Sequence, residues 1–103
     1  MLLTAEQEMI RDALRDYVRE QITPHAAQWD RQHHFPADVH RGLAALGAYG
    51  ICVPEEYAGA GLDYMSLALV LEEIAAGDGG TSTAISVTNC PVNAIFMRYG
   101  SEA

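Results

Sequence analysis

Apolar side chains recur at helical spacing near the start of the chain, and a polar pair marks where the pattern begins. The apolar positions that fall on one helix face are Ile10, Leu14, Tyr17 and Val18. Thr4, followed three residues later by Gln7, fits a capping box, in which each side chain bonds the other residue's backbone N–H. The pattern therefore predicts a first helix that starts near Ala5.

Two further helices follow from the next polar and apolar positions. Thr23-Pro24 places a capping residue before a proline, which suits the first helical position and predicts a second, short helix through Trp29. Pro36 then starts a new segment, whose apolar positions indicate a third helix closed by Gly47. Those apolar positions are Ala37, Val39, Leu43, Ala44 and Leu46.

The regular pattern stops over residues 48–62, which read AYGICVPEEYAGAGL. A proline and three glycines without a sustained period predict an ordered loop, in which Gly59 and Gly61 supply a tight turn with positive φ. Asp63 is the expected N-cap of a fourth helix, from Tyr64 to about residue 76. The GDGG sequence that follows is expected to end that helix.

The last apolar stretch, from Thr81 to Tyr99, predicts a fifth helix that is kinked at Pro91 and ends at Gly100. No segment alternates with period two for long enough to predict a strand, although residues 51–53 could form a short extended piece. The expected fold is all-α, a helical bundle of about five helices within one domain over residues 1–103. The chain ends as if another helix were beginning.

Composition narrows the classes of partner. Half of the residues are hydrophobic and 19% are charged, as in ordinary globular proteins. The formal charge of −8 disfavours nucleic acid and anionic lipid surfaces. No apolar run approaches the roughly 20 residues that span a bilayer, so we expect a soluble, cytoplasmic protein without membrane contacts. Cys52 and Cys90 are expected to be two small buried thiols rather than a disulfide.

Few residues suggest catalytic or metal chemistry. The four histidines, His25, His33, His34 and His40, lack the i,i+4 spacing of helical zinc sites, so no metal site is predicted. The adjacent pair Glu72-Glu73 cannot converge on one reacting atom, and one of the two is expected to pair with an arginine. The GAGLD loop lacks the spacing of a phosphate-binding glycine motif.

A row of small side chains on the fifth helix leaves two interpretations open. Ser82, Ser86 and Cys90 are spaced four residues apart and share one face of an α-helix. Small residues there can allow close contact with a neighbouring helix, or they can form the wall of a slender apolar pocket. From the residues alone the close contact is favoured, because core packing is the commoner use of such a helix.

Taken together, three ordered segments resemble the N-terminal domain of acyl-CoA dehydrogenases. They are LTAEQEMIRDALRDYVREQITPHAAQWDRQHHFP, GLAALGAYGICVPEEYAGAGLDY and LALVLEEIAAGDGGTSTAISVTN, and the resemblance runs from Leu3 to Ala103. In that family the N-terminal helices pack against a middle β-domain and a C-terminal four-helix bundle, with FAD between them and a neighbouring subunit. The resemblance therefore implies a larger α/β-barrel/α flavoprotein, truncated here before the β-domain.

The activity implied by the resemblance is the α,β-dehydrogenation of an acyl-CoA thioester in fatty acid metabolism. A glutamate base removes the α-proton, FAD accepts hydride from the β-carbon, and an electron-transfer flavoprotein reoxidises the flavin. The base and the main flavin-binding motifs belong to later segments, so no catalytic residue is expected in this chain, which alone should be inactive. The full-length enzyme would be a homo-oligomer.

The resemblance also implies that the fifth helix lines the acyl-chain pocket, which raises the pocket interpretation above close packing. The residues implied to bind substrate are Ser82, Ile85, Ser86, Asn89 and Cys90. Pro91 and Asn93 interrupt the more continuous apolar stretch expected there, which leaves the acyl-chain length open. An alternative from another class is a free-standing, non-catalytic helical interaction module, or a separately encoded subunit of the same family.

Overall fold

The computed structural model describes residues 2–102, and every regular element in this part of the chain is helical. The six α-helices are α1 Ala5–Gln21, α2 Ala26–Gln32, α3 Ala37–Ala45, α4 Tyr64–Gly77, α5 Gly79–Val87 and α6 Ala94–Tyr99. Two 3₁₀ turns, Ala48–Gly50 and Glu55–Tyr57, lie in the connection between α3 and α4, and a π-helical segment, Thr88–Asn93, joins α5 to α6. The predicted all-α fold is confirmed.

α1 begins where the capping box predicts. The Thr4 hydroxyl accepts a hydrogen bond from the Gln7 N–H at 3.1 Å, and the Gln7 side-chain oxygen accepts one from the Thr4 N–H at 3.0 Å. Two of the orphan donors at the helix start are thus satisfied by side chains.

The core forms where α4 packs between α1 and α5. Its buried side chains are Leu14, Val18 and Ile22 from α1 and the residue after it, Leu67, Val70 and Ile74 from α4, Ile85 from α5, and Leu43, Ala48 and Ile51 from α3 and the following turns. Because α4 has apolar neighbours on two sides, its sequence is apolar on more than one face.

An ion pair joins α1 to α4 beside this core. The Arg15 guanidinium donates to both carboxylate oxygens of Glu73, at 3.1 and 2.7 Å, and the Glu73 side chain is only 13% exposed. Hydrogen bonding to Glu73 raises the pKa of Arg15. The prediction that one carboxylate of the Glu72-Glu73 pair meets an arginine is confirmed.

The second helix departs from its predicted start. Thr23 and Pro24 lie in a turn after α1, and α2 begins at Ala26 without a side-chain cap. The backbone N–H groups of Ile22 and Thr23 still bond to the Val18 carbonyl, because burying Ile22 keeps the chain winding past the end of α1. The predicted Thr23 cap is therefore wrong, and tertiary packing is the reason.

A single residue separates α4 from α5. Asp78, in an extended conformation, ends α4 with its N–H on the Ile74 carbonyl, and its side chain accepts from the Thr81 N–H at 3.1 Å to cap α5. α4 ends close to its predicted limit, but α5 begins at Gly79 rather than at the predicted Thr81.

The long connection contains turns and no strand. Residues 51–53 form turns and a bend, and Ile51 has helical φ and ψ of −56° and −47°, so the possible extended piece at 51–53 is wrong. Gly61 has φ of 66°, as predicted, and Gly47 after α3 has φ of 84°. Gly59 does not have positive φ; a side chain there would collide with the Val53 carbonyl.

The final predicted helix is one continuous helical run with a change of winding. Around Pro91 the chain adopts the wider π form over Thr88–Asn93 rather than a simple kink. Gly100 does end α6, in an extended rather than a left-handed conformation. Within residues 2–102 no helix combines the length and the apolar character needed to cross a membrane.

Candidate functional site

The candidate site is the helical run from α5 into the π-helical segment. Asp78 fixes its start, because its carboxylate accepts from both the N–H and the hydroxyl of Thr81. Thr81 is buried, so these bonds anchor the first turn against the core.

Ser82 and Ile85 lie on the inner side of this run. The Ser82 hydroxyl donates to the Leu71 carbonyl of α4 at 3.0 Å, and the Ser82 side chain is almost completely buried. Ile85 is fully buried in the core. At Ser82 the small side chain therefore allows close contact between α5 and α4, which is the packing interpretation of the small-residue row.

Ser86 and Cys90 differ from Ser82 in exposure. Ser86 is half-buried and Cys90 is exposed, so the row of small residues runs from the core to the surface. The expected burial of both thiols is wrong: Cys90 is exposed and Cys52 is half-buried. Burial is the main cause that raises the pKa of the Cys52 thiol, with the nearby Cys90 as a smaller one.

Asn89 joins the π-helical segment to the turn after α3. Its amide oxygen accepts from the Ile51 N–H at 3.0 Å, and its amide nitrogen donates to the carbonyls of Ala48 at 2.8 Å and Ile85 at 2.9 Å. With only 5% of its surface exposed, Asn89 uses both of its donors inside the domain.

Asn93 makes a parallel connection one turn later. Its amide nitrogen donates to the Tyr49 carbonyl at 2.8 Å. The Tyr49 hydroxyl in turn is hydrogen-bonded to Nδ1 of His40 in α3. Burial lowers the pKa of His40, an effect that the charge of Asp78 partly opposes, and burial raises the pKa of Tyr49.

Two cavities flank Asn93. One of about 460 Å³ is bordered by Cys52, Tyr64 and Arg98, and one of about 300 Å³ is bordered by Tyr57 and Phe96. Val53, Asn93 and Met97 border both cavities. Of the five residues implied to bind substrate, only Asn89 borders the larger cavity.

Sequence reasoning treated Asn93 as an interruption of an apolar stretch and did not assign it a role. A signal was present, because two amides four residues apart inside an apolar helix must find hydrogen-bond partners when buried. The partners themselves, on residues 48–51, could not be identified from local pattern.

Within the described part of the chain, no group of three or more His, Cys, Asp and Glu side chains could hold a metal ion. His33 ends α2 in the left-handed conformation, with φ of 52°. Phe35 stacks on His40 with ring centroids 4.4 Å apart, which gives that histidine a packing role.

The family model described as acyl-CoA dehydrogenase, N-terminal domain, matches residues 4–103. The chain therefore belongs to the acyl-CoA dehydrogenase family, of which it represents the N-terminal domain.

Individual relatives agree with this assignment. The mitochondrial short-chain specific acyl-CoA dehydrogenase of Rattus norvegicus is 36% identical over 100 residues, which cover 97% of this chain and 24% of that protein. A glutaryl-coenzyme A dehydrogenase solved with glutaryl-CoA superposes with a TM-score of 0.90 at 34% identity, covering 99% of this chain and 27% of that one.

A second solved structure, reported for the electron transferring flavoprotein of Acidaminococcus fermentans, superposes with a TM-score of 0.93 at 30% identity. The coverage is again 99% of this chain and 27% of that chain. The chain thus spans about a quarter of the length of the proteins that it matches.

Proposed function

We propose that this chain is the N-terminal part of an FAD-dependent acyl-CoA dehydrogenase that catalyses α,β-dehydrogenation of an acyl-CoA thioester. The observation that carries the proposal is the family match over residues 4–103. The similarity to a dehydrogenase solved with glutaryl-CoA supports it. The catalytic base would be supplied by the rest of the enzyme, so the segment alone would be inactive.

The contribution of this domain would be one wall of the acyl pocket, formed by Ser82, Ile85, Ser86, Asn89 and Cys90. Ser86 and Cys90 support the idea, because they present small side chains on the more accessible part of the helical run. The side chains of Ser82, Ile85 and Asn89 pack inside the domain, so they would support the wall from its inner side. Small residues at the accessible positions leave room for a chain end.

FAD would be bound mainly by the rest of the enzyme. The glycine-rich loop does not fit a phosphate cradle, because its N–H groups already have partners. Gly59 donates to the Pro54 carbonyl, Ala60 to that of Gly50, and Gly61 to that of Val53. We therefore assign no residue of this chain to the flavin.

The proposed partners are an acyl-CoA substrate, an electron-transfer flavoprotein and further copies of the full-length enzyme. The proposed compartment is the cytoplasm, although the rat relative is mitochondrial by name. These proposals follow from the family to which the chain belongs.

An exposed apolar surface near the C-terminal end also suits the alternative of a helical interaction module or separate subunit. Its side chains are Val87, Val92, Ile95, Phe96, Met97 and Tyr99, each at least 41% exposed. Such a surface needs a covering partner, which could be another part of the same enzyme or a different protein. Co-purification with a separate flavin-bearing subunit would favour the second case.

The first test is the visible absorption spectrum of the full-length protein, before and after addition of a short acyl-CoA without oxygen. The proposal expects a yellow flavoprotein that bleaches when substrate is added. A colourless protein that no acyl-CoA changes would refute the dehydrogenase function and leave partner binding.

The pocket wall is tested by enlarging its accessible small side chain. Cys90→Leu should lower kcat/KM for longer acyl-CoAs more than for butyryl-CoA, since one methylene in a hydrophobic pocket is worth about tenfold. Thr83→Leu, at an exposed position outside the proposed wall, is the matched control. Equal effects of the two variants at every chain length would count against the assignment of Cys90.

A further inference from the structure

The π-helical segment forms around Pro91. Pro91 has no N–H, so in an α-helix it would leave the Val87 carbonyl without its donor four residues later. The chain instead adopts the rarer and wider π form over Thr88–Asn93. Such segments are often found at functional sites.

Two asparagines bond this segment to another part of the domain. Of the four hydrogen bonds that the amides of Asn89 and Asn93 make, three leave the helix and reach the backbone of Ala48, Tyr49 and Ile51. The fourth, from Asn89 to the Ile85 carbonyl, satisfies a group in the last turn of α5.

The turn that receives these bonds is itself held in place. Ala48 and Ile51 are buried in the core, and the Tyr49 hydroxyl is bonded to His40 of α3. The π-helical segment is therefore hydrogen-bonded at two successive turns to residues 48–51, which are themselves held by the core and by α3. Without these bonds the segment could rewind, and each residue of change in register turns a helix face by about 100°.

We propose that Asn89 and Asn93 are positioning residues that hold the π register of Thr88–Asn93 and so fix the direction in which Cys90 faces. This inference rests on the proposed function, because Cys90 is one of the residues assigned to the acyl pocket. The two amides determine acyl-chain selectivity through the backbone that they hold.

The experiment uses the full-length enzyme with Asn93 replaced in two ways. Asn93→Ala removes the amide, and Asn93→Asp keeps its size but cannot donate to the Tyr49 carbonyl. Thr88→Val is the matched control, because it removes a hydrogen bond from the same segment to the Ala84 carbonyl of its own helix. Asn89→Asp is added, and if it fails to fold, the Asn93 variants decide.

Two quantities are measured for each protein. The first is the ratio of kcat/KM for butyryl-CoA to that for octanoyl-CoA. The second is hydrogen exchange in the peptide that covers residues 48–53. Both Asn93 variants should raise the exchange rate about fivefold, as loss of one hydrogen bond implies. Both should also shift the selectivity ratio by about tenfold, whereas Thr88→Val should change neither.

Exchange that stays at the wild-type rate in both Asn93 variants would overturn the inference, because the bond would then not hold the turn. Faster exchange with a selectivity ratio within about twofold of wild type would overturn it as well, since a purely structural role predicts that result. If the wild-type enzyme oxidises no acyl-CoA, the proposed function and the selectivity role both fail. The exchange rates then report only whether the hydrogen bond from Asn93 to Tyr49 stabilises the turn.

Discussion

Replacing Asp78 by alanine tests how strongly one side chain joins the two central helices. The carboxylate accepts from the N–H of Thr81 at 3.1 Å and from its hydroxyl at 2.5 Å, and Thr81 is only 4% exposed. Asp78→Ala removes both acceptors from groups that water cannot readily reach. It leaves the backbone bonds of residue 78 to Ile74 and Ser82 in place.

The expected loss follows from two contributions. Removing a capping carboxylate costs about 1 kcal/mol. Leaving the buried Thr81 hydroxyl without an acceptor costs about 1–2 kcal/mol more. The free energy of unfolding should therefore fall by about 2–3 kcal/mol, a large part of the roughly 5–15 kcal/mol that stabilises a domain.

Urea unfolding of the chain, followed by circular dichroism at the helical signal, measures the change. Asp78→Asn retains a capping oxygen and should lose less than about 0.5 kcal/mol. Asp38→Ala removes a carboxylate from the exposed first turn of α3 and should also lose little. The reasoning is refuted if Asp78→Ala is as stable as wild type, or if Asp78→Asn is as unstable as Asp78→Ala.

Three further predictions concern burial and backbone contact. Burial lowers the pKa of His40 below its usual 6.5 in the folded protein. As the pH drops, the unfolded chain therefore binds a proton before the folded chain does. The free energy of unfolding should fall as the pH drops from 6.5 through the folded pKa. His40→Gln should make unfolding less pH-dependent in that window, as measured by urea titrations at several pH values. Ile85→Ala should lower the free energy of unfolding by about 2–4 kcal/mol in the same titration, because the side chain is fully buried. Gly59→Ala should lower the thermal unfolding temperature, because the new Cβ would collide with a facing backbone carbonyl.

Each of these has a control or a contradicting outcome. An unchanged pH dependence in His40→Gln would show that another group is responsible. Ile95→Ala, at a position 56% exposed, should lose much less than Ile85→Ala, and equal losses would contradict the assigned core. Gly79→Ala has open space for its Cβ, so a loss equal to that of Gly59→Ala would mean that close contact is not the cause.

Local side-chain chemistry allowed the helix starts to be predicted from sequence. Thr4 and Asp63 each bond an N–H three residues ahead, so the signal lies within one turn of the chain. The corresponding prediction at Thr23 was wrong. Burial of Ile22 continues the turns of α1 through Thr23, so Thr23 cannot serve as the N-cap of α2. Asp78 was not predicted as a cap, because the GDGG sequence was expected only to end α4.

The candidate site was predictable only in part. A helical run over residues 81–99 follows from its apolar character, but its π winding depends on bonds between Asn89 or Asn93 and a turn some 40 positions earlier in the sequence. Neither periodicity nor spacing reports such long-range partners. The exposure of Cys90 was missed for a related reason: the pattern marks an apolar face but not whether another part of the domain covers it.

The π winding has a consequence for how this chain can change in evolution. A π turn contains one residue more than an α turn, so the segment is equivalent to a one-residue insertion that the helix has absorbed. Deleting one residue between 88 and 93 would restore the α period and leave α6 facing as it does now, because the residue removed is the one that the π turn absorbs. A single-codon deletion there would therefore change the winding of the segment while α6 kept the surface that it presents.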